Sequence, residues 1–268
     1  MTMARTYVVT GAGSGIGKAT KDLLEGQGNK VIGVDLKGAE VAADLGTKQG
    51  RIDAVNAAVE AAGGSVDAVI ACAGVTLPSP VTVSVNYFGM TEFLDALAPI
   101  LAKAAQPRAV LISSFSSLQD NDPSLVDAMC IEDDEDKARA IAERIVAETG
   151  PEGAQGLIYA SSKRAISRWV RRESIKPQWA GAGIPLNAVG PGVIRTPMTA
   201  PWLESEQGRQ YLMSVVPMPL NGFAEPEVVA ELLVWLTSPA NTHVTGQTVY
   251  VDGGADVAIR GENVWDLA

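Results

Sequence analysis

The stretch Tyr7-Val8-Val9-Thr10-Gly11-Ala12-Gly13-Ser14-Gly15-Ile16-Gly17 constrains this chain more than any other. A short, β-rich apolar run ends at Thr10, glycines recur at odd positions, and Lys18 to Leu24 then reads as a helix. A strand, a tight glycine turn and a helix N-terminus let backbone N–H groups approach a pyrophosphate, whose charge the helix dipole favours. Gly11, Ser14, Gly15 and Ile16 are the candidates for that cradle. Val31-Ile32-Gly33-Val34 reads as a second strand with Asp35 at its end, 18 residues past Gly17. A carboxylate at about that spacing accepts hydrogen bonds from the adenosine ribose of a bound dinucleotide.

Strand and helix patterns alternate along the remainder, which implies a doubly wound parallel sheet, a Rossmann-type α/β fold with helices on both faces. At 268 residues a single domain over 1–268 is expected. Glu40 to Ala43 reads as a brief third strand, and a separation of only nine positions from Asp35 to Asp44 leaves no room for a normal crossover helix, so a loop or a single helical turn is expected there. Further strands are expected at Val66–Ala71, Arg108–Ser114 and Ile184–Val189, with helices at Ile52–Ala62, Val85–Lys103 and Pro226–Leu236.

Charge and composition exclude other classes. A net charge of −10 argues against nucleic-acid binding. No apolar run is long enough for a membrane span, and the strand near the N-terminus leaves no room for a signal peptide. With two cysteines, Cys72 and Cys130, a disulfide framework is not expected, and a reduced, cytoplasmic setting follows. Cys72 lies in an apolar run and reads as a small buried hydrophobe. A single histidine, His243, argues against a His-rich metal site, so no metal is expected.

The loop is written TGxxxGxG rather than GxGxxG, and in this it resembles the nucleotide loop of the short-chain dehydrogenases/reductases. Other motifs follow in that family's order: Ser113-Ser114 after the fifth strand, Tyr159-Ala160-Ser161-Ser162-Lys163 as YxxxK, Pro191-Gly192-Val193-Ile194-Arg195-Thr196 as PGxxxT, and Val251-Asp252-Gly253-Gly254 near the end. The resemblance covers about Arg5 to Gly254 and implies roles for individual residues. Tyr159 would exchange a proton with a substrate oxygen, Ser114 would hydrogen-bond that oxygen, and Lys163 would lower the tyrosine pKa and bind the nicotinamide ribose. Asn86 matches the helix asparagine that kinks its helix and holds a water linking the lysine to solvent; as an alternative it is an exposed helix residue. Ser113, Ser116 and Ser117 would be structural.

Asp44 and Leu45 match the family's adenine contacts, although a solvated turn carboxylate is an equal reading of Asp44. Ala73-Gly74 permits close backbone approach to the cofactor, but Ala71 and Cys72 stand where the family usually has two asparagines. The Ile194 backbone and the Thr196 hydroxyl would hold the nicotinamide carboxamide. Asp35, with no Arg or Lys at residues 12–16 and Lys37 the one basic residue close by, implies NAD rather than NADP.

Ser114 and Tyr159 stand 45 positions apart, far more than the family's usual spacing. The excess is a helical insertion at about 118–152, whose run Glu132-Asp133-Asp134-Glu135-Asp136 reads as a solvated face, followed by an apolar stripe of Ile141, Ile145 and Val146 up to a break at Gly150-Pro151. The insertion, the short third strand and Ser84-Val85-Asn86-Tyr87-Phe88-Gly89 resemble the bacterial 3α-hydroxysteroid dehydrogenase/carbonyl reductase branch. That likeness implies a homodimer, because the insertion would block the surface most members use for tetramers. Residues 198–218 would form a substrate lid, carrying Met198, Trp202, Leu203, Tyr211, Leu212, Met213, Val215 and Met218; as an alternative they are a helix pair that simply packs. So apolar a lid suits a small hydrophobic alcohol or ketone, with steroid, terpene and aromatic alcohols all open. Two rival readings are a non-catalytic dinucleotide-binding regulator, which should have lost Tyr or Lys, and a sugar-nucleotide epimerase, which needs a longer C-terminal domain.

Overall fold

A computed structural model describes residues 4–262 and 264. The chain runs β1 (Thr6–Thr10), α1 (Gly15–Gly26), β2 (Lys30–Asp35), β3 (Val41–Ala42), α2 (Lys48–Ala62) and β4 (Ala68–Ala71). A composite helix follows, made of α3 (Val81–Val83), a π-helical turn (Ser84–Phe88) and α4 (Gly89–Leu101). Next come β5 (Arg108–Ile112), a 3-10 turn (Phe115–Leu118), α5 (Pro123–Cys130) and α6 (Glu135–Glu173). The last elements are β6 (Leu186–Pro191), α7 (Ala200–Leu203), α8 (Glu206–Val215), α9 (Pro226–Thr237), β7 (Thr248–Val251) and α10 (Ala255–Arg260).

The seven strands form one sheet in the order β3-β2-β1-β4-β5-β6-β7, with every pairing parallel. This is the expected doubly wound architecture, and it follows from strands buried on both faces. Val8, Ile32, Val69 and Leu111 pack with α2, α4 and α6 on one side. Their neighbours Tyr7, Val31, Ile70 and Val110 pack with α1 and α9 on the other, as the two-residue period of a strand requires. A third, smaller cluster of Phe115, Val193, Val216, Met218 and Ala255 lies under α7 and α8. Strand order reverses between β1 and β4, and open α/β sheets bind ligands at the carboxyl ends of strands beside such a reversal.

The link from Asp35 to Asp44 contains bends and β3 but no helix, as its length demanded. Helices begin earlier than their apolar pattern indicated: α2 starts at Lys48 because Thr47 accepts from the Gly50 N–H as an N-cap. The insertion forms α5 and the first part of α6, and α6 changes direction at Gly150, whose φ of 71° and ψ of 170° are non-helical. Asp122 caps α5 and Asp134 caps α6, each through a backbone N–H three residues on.

The acidic run is not wholly a solvated face. Glu135 pairs with the buried Arg51 at 2.5 Å, and Arg51 also donates to Glu92 at 2.8 Å and to the Leu45 carbonyl. A buried guanidinium needs such partners, because stripping it of water without them costs several kcal/mol. Arg139, one turn further on, donates to Ser84 in the π-helical turn at 2.7 Å. The insertion is therefore tied at its start to α2 and to the composite helix. Among the described residues, no helix is long and apolar enough to cross a membrane.

Candidate active site

Two cavities meet at the C-terminal edge of the sheet, and Ser114, Tyr159, Gly192, Met198 and Thr199 line both. The first, about 160 Å³, runs between the glycine turn after β1 and the loop after β6. Gly11, Ser14, Gly15 and Ile16 line one side, Ile194 and Thr196 the other, and Gly74, Ser114, Tyr159 and Lys163 its inner end.

The glycine turn is a backbone-on-backbone fit. Gly11 has a φ of 69°, and a Cβ there would meet the Ala73 nitrogen at 2.8 Å. A Cβ on Gly17 would stand 2.2 Å from the Gly11 carbonyl oxygen. Ala73 is held in turn by its N–H bond to Thr10 Oγ1 at 3.1 Å. Ser14 takes the N-cap position of α1 but makes no side-chain cap, so the first-turn N–H groups of α1 stay available to an anion in the cavity. These residues fit the pyrophosphate of a dinucleotide.

Asp35 stands beside this turn, its Oδ2 accepting from the Gly13 N–H at 2.9 Å and its Oδ1 from the Leu36 N–H at 2.7 Å. Those two bonds fix the carboxylate at the end of β2. Asp44 is exposed, and its Oδ1 accepts from the Gly46 N–H at 2.9 Å. Leu45 is buried in the core beneath it. Neither lines the cavity, and the Leu45 side chain is committed to packing, so any adenine contact there would have to use its backbone.

Ser114 lies two residues past β5 and caps the 3-10 turn by accepting from the Ser116 N–H at 3.1 Å. Ser113 also lines the cavity, but its hydroxyl is engaged with α6: it donates to the Lys163 carbonyl at 3.0 Å and lies 2.8 Å from Ser167 Oγ. Ser117 Oγ lies 2.9 Å from the Tyr250 hydroxyl, so it too is engaged in packing β7 to the turn. Lys163 is buried, donates to the Ile112 carbonyl at 2.9 Å, and its Nζ lies 5.6 Å from the centre of the Tyr159 ring. Tyr159 and Lys163 are four residues apart on α6 and so share a face.

Burial dominates the titration of both groups. It pulls Lys163 down to about 7 from an ordinary 10.5. It pushes Tyr159 above its ordinary value, and the hydrogen bond with Ser114 offsets only part of that rise. The expected lowering of the tyrosine by Lys163 is thus absent from the ligand-free site, because desolvation raises the phenol and leaves the lysine with little reason to stay charged.

Asn86 is fully buried, which removes its reading as an exposed helix residue. It lies within the π-helical turn, where one extra residue per turn re-aims its side chain. Its Oδ1 accepts from the Val75 N–H at 2.8 Å, and its Nδ2 donates to the Val75 carbonyl at 2.9 Å and to Ser162 Oγ at 3.2 Å. A Cβ on Gly74 would stand 3.3 Å from Asn86 Oδ1 and 3.7 Å from Lys163 Nζ. Asn86 therefore clamps the turn after β4 against the lysine rather than lining the cavity itself. Cys72, read from the sequence as a buried hydrophobe, is half-buried and lines the cavity wall; burial still pushes its thiol up to about 12, so it stays protonated.

The second cavity, about 540 Å³, opens beyond Ser114 and Tyr159 beneath α7 and α8. Met198, Trp202, Tyr211, Leu212 and Val215 line it. Met213 is exposed, and Met218 is buried in the small third cluster with its sulfur accepting from the Val193 N–H, so neither faces the chamber. Leu203 packs in the same cluster.

Sequence reasoning missed several residues here. Thr199 ties the loop after β6: its hydroxyl donates to the Ile194 carbonyl at 2.5 Å and accepts from the Thr196 N–H at 3.1 Å. Thr76, Gln119, Glu152 and Gln155 supply the polar part of the chamber wall. Glu152 and Gln155 lie seven and four residues before Tyr159, a helical spacing that the YxxxK motif alone could have suggested.

Residues 5–124 match the family model described as short chain dehydrogenase, and residues 135–256 the model described as enoyl-(acyl carrier protein) reductase. A 3-alpha-hydroxysteroid dehydrogenase/carbonyl reductase of Comamonas testosteroni is 38% identical over 260 residues, covering 94% of this chain and 97% of that protein. The solved structure of a 3-alpha-hydroxysteroid dehydrogenase from Pseudomonas sp. B-0831, complexed with NADH, superposes with a TM-score of 0.85 at 36% identity, covering 96% of this chain and 99% of that one. Levodione reductase, 22% identical with a TM-score of 0.73 and covering 95% of this chain and 98% of its own, shares the fold.

Proposed function

The chain belongs to the short-chain dehydrogenase/reductase family of oxidoreductases, and from that premise we propose that it interconverts a hydrophobic secondary alcohol and its carbonyl with NAD(H). The observation that carries this reading is the meeting of Ser114, Tyr159 and Lys163 where the glycine-lined cavity opens into the apolar chamber. A nicotinamide dinucleotide supplies or accepts the hydride when bound. Gly11, Ser14, Gly15 and Ile16 would hold its pyrophosphate, the Ala73-Gly74 turn would let its backbone approach, and Ile194 and Thr196 would hold the carboxamide.

Tyr159 gives a proton to the forming alkoxide in reduction and takes one from the alcohol in oxidation. Ser114 donates a hydrogen bond to the substrate oxygen as charge develops on it. Lys163, protonated, favours the phenolate of Tyr159, and Asn86 positions the lysine through the turn at Gly74 and Val75. Asp35 supports NAD over NADP, since its fixed carboxylate accepts from a ribose hydroxyl and repels a phosphate in the same place.

The 3α-hydroxysteroid activity of the relatives is the first substrate class to test, with terpene and aromatic alcohols beside it. A homodimer fits the way α5 covers part of α6: Ser161 accepts from the Asp122 N–H at 2.9 Å, and Arg168 pairs with Asp127 at 2.8 Å. Sedimentation should give a dimer; a tetramer would remove the blocking role of the insertion. The activity is tested by following reduced nicotinamide in the near ultraviolet with steroid, terpene, aromatic and short aliphatic alcohols, each with NAD and NADP. Turnover of one hydrophobic class with NAD is expected. Tight NADH binding with no turnover across the panel would favour the regulator reading.

A further inference from the structure

The chamber has a polar end that the chemistry at Tyr159 does not use. Gln155 and Glu152 precede Tyr159 on α6, and an α-helix rises 1.5 Å per residue, placing them about 6 and about 10 Å along the axis from the tyrosine. Between Gln155 and Tyr159, Gly156 lines the chamber without a side chain, and a Cβ there would meet nothing within 4 Å. The floor is therefore open from the reacting end to the polar end.

The hydrogen-bonding sense of that end is fixed. Gln155 Nε2 donates to the Thr76 carbonyl at 3.0 Å, and a carbonyl can only accept, so the amide orientation is determined. Its Oε1 then has no donor among the described residues and remains an acceptor. Glu152 is exposed, forms no ion pair among the described residues, and is the only charged side chain lining the chamber among them. Both groups are acceptors, and one carries a negative charge.

We propose that the substrate carries, at the end remote from its reacting oxygen, a neutral or cationic hydrogen-bond donor that Gln155 and Glu152 receive, and that anionic end groups are rejected there. This rests on the alcohol–carbonyl reading of the site. It makes Glu152 and Gln155 specificity residues. Glu152 also lies in the first turn after the Gly150 break, where a carboxylate favours the helix dipole. A purely structural role of that kind would alter stability without altering the order of substrates.

The test uses 3α-hydroxysteroids of one skeleton whose far ends are a hydroxyl, a ketone or a carboxylate, assayed with NAD on the full chain. The wild type should favour hydroxyl over carboxylate by about tenfold in kcat/KM, the size expected for a charge-assisted hydrogen bond near the surface. Glu152→Gln should shrink that ratio and Glu152→Lys invert it. An order that survives Glu152→Lys, or equal use of all three by the wild type, overturns the proposal. Binding of the same probes, read by quenching of Trp202 fluorescence with Trp202→Phe as control, separates the two readings. Binding in the expected order without turnover supports the end-group assignment and counts against the activity. Turnover with no end-group preference overturns the assignment and leaves the activity standing. A panel that neither binds nor turns over overturns both.

Discussion

On the glycine side of Tyr159, backbone lies directly on backbone: the Gly11 carbonyl oxygen is 2.2 Å from where a Gly17 Cβ would stand. On the chamber side, Gly156 faces open space, and the walls are side chains of α7, α8 and the later turns of α6. The first region admits almost one residue type per position. The second admits any set of side chains that leaves the right volume and polarity. A pocket for an invariant ligand can be built from the main chain, whereas a pocket for one particular substrate is built from groups that can change without disturbing the fold.

The largest effect should come from Tyr159, one of the residues the two regions share. Tyr159→Phe keeps the ring and removes the proton donor, so turnover should fall by about 10²–10⁴-fold, the usual weight of general acid–base catalysis. NADH binding, followed by fluorescence, should persist. Loss of binding together with turnover would mean that the tyrosine belongs to the dinucleotide side alone.

Next in size is Asp35→Ala. It should erode the preference for NAD over NADP by about ten- to a hundredfold, since a hydrogen bond to a charged group is at stake. An unchanged ratio of kcat/KM for the two cofactors would remove Asp35 from the cofactor assignment. Substrate preference should not move, because Asp35 does not line the chamber.

Gly17→Ala probes the tightness of the backbone packing. A methyl group cannot fit beside the Gly11 carbonyl unless β1 and α1 separate, at a cost of about 1–3 kcal/mol. The melting midpoint should drop by several degrees and dinucleotide binding should weaken with it. An unchanged midpoint would show that the turn yields more easily than its packing indicates.

The legibility of the sequence divides along the same line. Val8, Val31, Val69 and Val110 sit among neighbours that fill two cores, so each strand could be read as a short apolar run and the parallel order from the helical stretches that alternate with the strands. Gly11, Gly15, Ser114, Tyr159, Lys163, Ile194 and Thr196 could be read as motifs, and the structure places them around one cavity. Thr76 and Thr199 were not legible, because a polar residue on a loop looks like surface until the fold shows what it faces, whereas Gln155 stands one helical turn before Tyr159 and could have been picked out by that spacing. Glu135 was misread for a related reason: its partner Arg51 lies 84 positions away, and no local pattern announces a pair of that separation. Leu45 was matched to an adenine contact by position, but the core claimed its side chain.

A smaller effect tests how dry the shared region is. Burial holds Lys163 near 7, so between that value and the ordinary lysine value of 10.5 the unfolded chain binds a proton that the folded ligand-free protein does not. Stability should therefore rise with pH from about 7 upward as this burden is lifted. From about pH 9 the Cys72 thiol, which burial pushes up to about 12, acts in the opposite sense, and above pH 10 the raised phenol of Tyr159 joins it, since in both cases the unfolded chain loses its proton first. Melting midpoints of the ligand-free protein between pH 7 and 9 should climb by a few degrees, and Lys163→Met should flatten the climb. A wild-type profile as flat as that of the variant would mean that the lysine is hydrated and charged before any ligand arrives.

The smallest effect completes the contrast, because it applies to Gly156 the substitution already applied to Gly17. Here a Cβ meets nothing, and the helix gains a better former, so Gly156→Ala should stabilise the fold by about 1 kcal/mol. The methyl group would nevertheless stand on the chamber floor between Tyr159 and the polar end. The KM for bulky ring substrates should rise while that for short aliphatic alcohols stays where it was, and dinucleotide affinity should not change. If Gly156→Ala left every KM alone, substrates would have to lie along the α7–α8 wall rather than along α6. If it weakened dinucleotide binding as Gly17→Ala does, the separation of the two regions would fail, and a change on the chamber floor would have to reach the glycine turn through α6 and Lys163.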